Sequence, residues 1–256
     1  ELLQDLCVMG DARLDGYVGS ARLARGATKF HLHEHDLPDF DALCADIRRS
    51  HAAGRGCAFH SVTRVDLAFA LAALQEAGTN GHDRIEHAAV VPPEWIATMR
   101  ELRVTVVTQP QFIAERGDEY LREVAEDDQP WLYRLQGLVQ AGIPLAFGSD
   151  APFGAANPWA AMQAAVQRRT ASGRRIGANE ALTPEQALAG WLTPLADPGG
   201  PTRLITLGSV ADLCLLHRNW SAQRRDLVTS SVRMTVRAGE IIHGETPVEA
   251  RGAITA

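Results

Sequence analysis

The sequence predicts an α/β protein built around a parallel sheet. Short apolar runs rich in β-branched or aromatic residues alternate with longer stretches of helical period, which is the signature of βα units. The helical stretches also open and close on capping signals. Size agrees with this, since 256 residues with 46% hydrophobic content can bury one large α/β core, or one domain with an appendage.

Five βα units can be placed in order. Residues 28–32 make the first strand, and Pro38-Asp39 opens a helix through Leu43 and Ile47 to Gly54, with Pro in its first turn and Gly at its end. A strand over 56–60 is followed by a helix over 65–77 that Gly78 closes. The third strand, 84–87, leads to a helix from Pro92-Pro93-Glu94 to about residue 102. The fourth, 104–108, leads to a polar loop holding Glu115, Arg116, Gly117 and Asp118, then to a helix over 129–141. The fifth, 144–147, runs into Gly148-Ser149-Asp150 and a helix from Pro158 to about residue 170. A last helix over 183–191 starts on the capping box Thr183-Pro184-Glu185-Gln186. At Pro198-Gly199-Gly200-Pro201 the pattern changes, so the chain divides into a partial β/α domain, 1–200, and a C-terminal β segment, 201–256. Residues 211–216 and 233–242 predict short strands, the latter folded at a Gly239 turn, and so few strands need others to pair with.

Composition narrows the function. With 25 basic and 31 acidic residues the net charge of −6 offers no footprint for nucleic acid or an anionic membrane, so a small-molecule substrate is expected. No apolar run reaches the roughly 18 residues of a membrane span, and residues 1–10 lack the pattern of a signal peptide. Cys7, Cys44, Cys57 and Cys214 show no CxxC spacing, which predicts neither a zinc knuckle nor a disulfide framework and places the protein in a reducing cytoplasm.

In a parallel β/α barrel, reactive residues stand where strands run out into the following loops. His60 ends Cys-Ala-Phe-His, His87 ends Arg-Ile-Glu-His and Asp150 ends Phe-Gly-Ser-Asp. A lone strand-end histidine is usually structural; three ligand types at such positions point to a metal. Neutral imidazole with carboxylate suits Zn, Mn or Fe.

Phe-His-Ser-Val-Thr, Arg-Ile-Glu-His-Ala and Gly-Ser-Asp-Ala-Pro, in this order and spacing, resemble the amidohydrolase superfamily, in particular its branch of N-substituted formamide deformylases. Leu207-Gly208-Ser209-Val210-Ala211-Asp212-Leu213 is similar to that family's return into a small β-sandwich. The resemblance implies a TIM-type (β/α) barrel of the metal-dependent hydrolase kind, with His60 after strand five and His87 after strand six as metal ligands. It implies that Asp150, after strand eight, contacts the metal and moves a proton from the attacking water to the leaving nitrogen. Lys29 falls on strand four, where many members carry a carboxylated lysine that bridges two metals; here it is either so modified or a plain solvated or salt-bridged lysine. One or two divalent ions, zinc first, are the implied cofactors. The family's His-x-His pair lies on strand one, yet only 28 residues precede Lys29. Three βα units need roughly 30 residues each, so a barrel of strands four to eight is expected, without its N-terminal part.

A second His-x-His lies in Phe30-His31-Leu32-His33-Glu34-His35. Strand alternation puts Lys29, His31, His33 and His35 on one face, where His31 or His33 either ligates metal, lines the pocket mouth or is solvated. His33 is therefore a candidate substrate contact. Gln109, in the loop after strand seven, is another. Arg84 either orients Glu86 or a substrate carboxylate, or pairs structurally at a strand start. Trp131, Tyr133 and Arg134 fit a core and a solvated face, and His51, His82, His217 and His243 are taken as non-catalytic. The implied reaction is hydrolysis of a non-peptide carbon–nitrogen bond, in an amide, formamide or cyclic amide, by metal-activated water. The alternative is an inactive remnant serving as a binding or assembly module, because an incomplete barrel exposes strand edges that favour a partner, including a second copy.

Overall fold

Six parallel strands, ordered in space as they occur in the sequence, form the sheet that positions the site. In the computed structural model, which describes residues 3–227 and 232–244, they are β1 Leu6–Gly10, β2 Leu23–His31, β3 Cys57–Ser61, β4 Arg84–His87, β5 Thr105–Thr108 and β6 Leu145–Phe147. Seven helices accompany them: α1 Phe40–Ala52, α2 Arg64–Ala77, α3 Trp95–Glu101, α4 Phe112–Glu123, α5 Gln136–Gln140, α6 Pro158–Gln167 and α7 Pro184–Ala189. Such a sheet with its helices is an α/β arrangement that fits part of a TIM-type barrel.

The pleat sorts the side chains. Leu32, Phe59, Ile85 and Val106 are buried in one core with Leu43, Ile47, Leu67, Leu71, Leu74 and Met99 of α1 to α3, and Phe30 stacks on Phe59 with ring centres 5.1 Å apart. The intervening residues Lys29, His31 and His60 take the other face and meet a cavity. Parallel register brings His31 level with His60, and His60 level with Glu86. Capping follows the sequence signals: Asp39 caps α1, and Thr63 and Thr183 form capping boxes with Asp66 and Gln186.

Four expectations are corrected. The sheet has a strand before Lys29's, β1, which pairs with β2 in parallel, so six strands stand where five were expected. The polar stretch around Glu115 to Asp118 is not a loop but the middle of α4, and its Gly117 lies against α6's outgoing chain, where a Cβ would come 2.6 Å from Thr170 Cγ2. The helix expected over 129–141 is broken into a 3-10 turn, Gln129–Trp131, and α5. The break is imposed from afar: buried Arg168 takes the carbonyls of Leu132 and Tyr133 at 2.9 Å each, and Tyr133 adopts φ 44. Arg168 itself has φ 53 and ends α6 before residue 170.

The chain divides between Arg203 and Leu204 into two compact units. Beyond that point β7 Leu213–Leu216, β8 Val232–Arg237 and β9 Glu240–Gly244 form a three-stranded antiparallel sheet, pairing with one another, with α8 Trp220–Gln223 between β7 and β8. Ala238 and Gly239, φ 48 and 88, make the two-residue β8–β9 turn, as a type I′ hairpin requires.

Candidate metal centre at the strand ends

The C-terminal ends of β2, β3 and β4 bring imidazoles together. Ring centres are 4.2 Å apart for His31 and His60, 4.3 Å for His31 and His33, 4.5 Å for His60 and His87 and 5.7 Å for His33 and His60. Register alone would not achieve this for His87, since it pairs level with Ser61, one residue past His60. The backbone corrects the phase: His87 has φ 69 and Ala88 φ 46, which swing the chain out of the pleat at the strand end. Asp150 stands at φ 54. Three non-glycine residues held in the left-handed region at one site are a costly feature that the surrounding structure must enforce.

His87 is buried, and its Nδ1 lies 2.8 Å from Gln109 Oε1. The amide oxygen can only accept, so Nδ1 carries the proton and Nε2 is left with its lone pair. Thr108 Oγ1 donates to the His87 carbonyl at 2.7 Å and fixes the backbone. Burial, reinforced by neighbouring His87, His31, Lys29 and His33, drives the His60 imidazole down to about 3. Burial likewise lowers His87, against the Gln109 hydrogen bond and the Asp150 charge, and His31. Lys29 is lowered by burial, with Glu86 and Asp150 pulling the other way and Arg84 adding to the fall. Imidazoles that stay neutral at pH 7, one with a free Nε2, fit a borderline divalent ion.

A cavity of about 580 Å³ joins these parts: Lys29, His31, His60, His87 and Asp150 line it together. The remaining candidates stand elsewhere. Gln109 is 3% exposed and faces His87. Arg84 Nε sits 2.6 Å from Glu86 Oε1, an ion pair inside the sheet face. His33 is exposed beside His31. The opposite wall was missed by sequence reasoning, because it comes from α4: Phe112, Arg116, Glu119, Tyr120 and Glu123, joined by Tyr133 and Phe153. The signal for it was the helical spacing of Ile113, Gly117, Tyr120, Leu121 and Val124, obscured by a glycine in a core position.

Another ligand-type trio lies at the other ends of the strands. His51, Cys57 and Asp83 are the one set of three among the described residues whose ligand atoms all fall within 4.8 Å of one another. Asp83 is already satisfied there by the Cys57 N–H at 2.8 Å, the Asn80 N–H at 3.2 Å and His51 Nε2 at 2.9 Å. It works as a staple of α1, β3 and β4. The strand-end set is the wider of the two, since its ligand atoms do not all fall within that distance of one another.

The lowered histidines set a pH dependence for the metal-free chain. The unfolded chain protonates these imidazoles near 6.5, whereas folded His60 resists until about 3, so their contribution to stability is level above 6.5 and falls as pH drops below it. The urea midpoint of chelator-treated protein is expected to decline from pH 7 to pH 5, and less so in His60→Gln. A midpoint that rises on acidification contradicts this.

Comparison with known proteins agrees with the fold. Residues 17–243 match the model of the amidohydrolase family. YtcJ of Bacillus subtilis (strain 168), an amidohydrolase by name, is 31% identical over 136 residues, covering 52% of this chain and 25% of YtcJ. The crystal structure of an uncharacterized metal-dependent hydrolase from Pyrococcus furiosus superposes with a TM-score of 0.60 at 26% identity, over 70% of this chain and 41% of that one. Ochratoxinase of A. niger shares the fold at TM-score 0.60 and 19% identity, over 90% of this chain and 58% of the enzyme. The chain thus spans between a quarter and about three fifths of these relatives. No helix among the described residues is long and apolar enough to cross a membrane. With its family model matched over most of its length, the chain belongs to the amidohydrolase family.

Proposed function

We propose that this chain hydrolyses non-peptide carbon–nitrogen bonds, in amides, formamides or cyclic amides, in the manner of the N-substituted formamide deformylase branch. The observation that carries the reading is the convergence of Lys29, His60, His87 and Asp150 on one cavity, with His87 Nδ1–H tied to Gln109. His60 and His87 would hold a divalent ion, zinc in the first instance, with Lys29, plain or carboxylated, and Asp150 beside them. When bound, the ion supplies Lewis acidity toward the carbonyl and a water of lowered pKa. Asp150, exposed at the cavity, is the group that accepts a proton from water and returns it to the departing nitrogen. Lys29, lowered by burial, has an amine closer to the neutral form whose lone pair adds to carbon dioxide. Gln109 keeps His87 in one tautomer.

A second reading has its own support. In the described sheet β1 and β6 each have one partner strand, so both edges are open. A module without turnover that binds a partner, or a second copy, through such an edge would retain the fold.

Elemental analysis separates the two. About one or two equivalents of Zn, Mn or Fe per chain are expected, lost in the His60→Ala/His87→Ala variant. A screen of N-formyl and cyclic amides then reads turnover. Protein that takes up no metal, or a double variant that keeps it, overturns the hydrolase reading for this chain.

A further inference from the structure

We propose that His51, Cys57 and Asp83 form a structural site for a zinc-like divalent ion, at the end of the sheet opposite the candidate centre. The three side chains come from separate elements: His51 from the last turn of α1, Cys57 from the start of β3 and Asp83 from the residue before β4. That origin is why no cysteine spacing announces them in the sequence. Cys57 Sγ lies 3.7 Å from His51 Nε2, Asp83 Oδ1 lies 2.9 Å from the same nitrogen, and the three ligand atoms fall within 4.8 Å of one another. A Cys–His–Asp catalytic relay uses both ring nitrogens. Here sulfur and carboxylate converge on one, so three donors face a single point. Around a tetrahedral zinc, sulfur and nitrogen stand roughly 3.6 Å apart, and nitrogen and oxygen roughly 3.3 Å. The sulfur spacing is met, and the N–O gap opens by roughly 0.4 Å when an ion replaces the shared proton.

Charge and the supporting contacts favour an ion at this point. Asp83 is 1% exposed, and its ion-pair partner among the described residues is His51 rather than a lysine or arginine. A buried carboxylate without a full opposite charge is costly. The Cys57 N–H donates to Oδ1 at 2.8 Å and the Asn80 N–H to Oδ2 at 3.2 Å, orienting contacts of the kind that metal-bound carboxylates keep. Oδ1 retains a lone pair for the ion once the His51 proton has moved to Nδ1. In the ion-free chain, burial and then the Asp83 charge push the Cys57 thiol up to about 12. A bound cation reverses that field, and the sulfur gives up its proton to water and ligates as thiolate. Thiolate, carboxylate and divalent ion then sum to zero charge. The His51 ring, 15% exposed, leaves the fourth position open to water. The N-terminal end of a β/α barrel serves stability rather than catalysis, and an ion here would tighten the staple of α1, β3 and β4.

Cobalt(II) tests the site, because thiolate ligation gives a near-ultraviolet charge-transfer band that the cysteine-free strand-end set cannot produce. The full chain, stripped by chelator, is titrated with Co²⁺ as wild type, Cys57→Ala, His51→Gln and His60→Ala/His87→Ala, with circular dichroism to show that each is folded. One equivalent is expected to develop the band in wild type and in the strand-end double variant, and Zn²⁺ should bleach it. Cys57→Ala should abolish it. His51→Gln, which keeps the sulfur, should raise the Co²⁺ concentration required by about tenfold or more. Zn²⁺ at a hundredfold excess over Kd should raise the Tm of the strand-end double variant by about 5–10 °C, a rise lost when Cys57→Ala is added.

No band in wild type, or a band that survives Cys57→Ala and so belongs to another cysteine, overturns the site and leaves the trio as a hydrogen-bonded staple alone. An equivalent retained by the strand-end double variant is assigned by its loss on adding Cys57→Ala. The count at His60 and His87 is read in that background, so the two sites stand or fall separately.

Discussion

Replacing Asp150 by asparagine is expected to lower kcat on an amide substrate by about 10²- to 10⁴-fold, the span that a positioned acid–base group contributes. Asparagine is the informative choice because Asp150 sits at φ 54, a conformation that asparagine adopts more readily than most residues. The variant keeps the shape and the backbone and removes only the proton-carrying oxygen. Asp150→Ala loses the short polar side chain that makes the left-handed region tolerable, so its effect would mix strain with chemistry. The measurement is kcat against pH at saturating metal, with bound metal determined on the same samples. A flattened acidic limb with metal retained assigns Asp150 to proton transfer. Wild-type turnover in the Asp150→Asn variant excludes it from that role.

The largest loss of stability is expected from Arg55→Met. Arg55 is 3% exposed and makes five hydrogen bonds: to the carbonyls of Gly10 at 2.7 Å, Asp11 at 2.8 Å, Gly26 at 3.0 Å and Ala27 at 3.0 Å, and to Asp15 Oδ1 at 2.6 Å. One guanidinium thus ties the end of β1 to the middle of β2. Methionine fills similar volume but leaves four carbonyls without this donor. Removing one partner of such a buried network costs about 3–5 kcal/mol, or roughly 10 °C in Tm for a unit of this size. Thermal unfolding followed by circular dichroism checks it. A shift of only a degree or two would mean that water satisfies those carbonyls and that β1 is held by its strand pairing alone.

Most of the sheet was legible because its strands are short apolar runs bounded by capping signals, and His60, His87 and Asp150 mark the ends of three of them. The segment Leu6-Cys7-Val8-Met9-Gly10 carried the same kind of signal and belongs with them as β1. What stayed hidden depends on partners distant in sequence. α4 looked polar because Gly117 serves as a core position against Thr170 and Ile176. The interrupted helix before β6 answers to Arg168, more than thirty residues downstream. The left-handed turn at His87, which brings its ring to His60, has no local mark, since histidine and alanine there are ordinary strand-end residues. Gln109 was visible as a pocket-loop residue, but its bond to His87 needs β4 and β5 side by side. The wall opposite the imidazoles, Arg116 included, followed α4 out of sight.

Because neighbouring strands in space are also neighbours in the chain, the imidazole cluster arises from two successive pairings, β2 with β3 and β3 with β4. Each closes a loop no longer than one βα unit, a modest entropic step, and the local character of these contacts favours rapid folding. Asp150 arrives only after two more strands have joined. A chain emerging from the ribosome, folding from its N-terminal side, would therefore bring His31, His60 and His87 together well before Asp150 joins them.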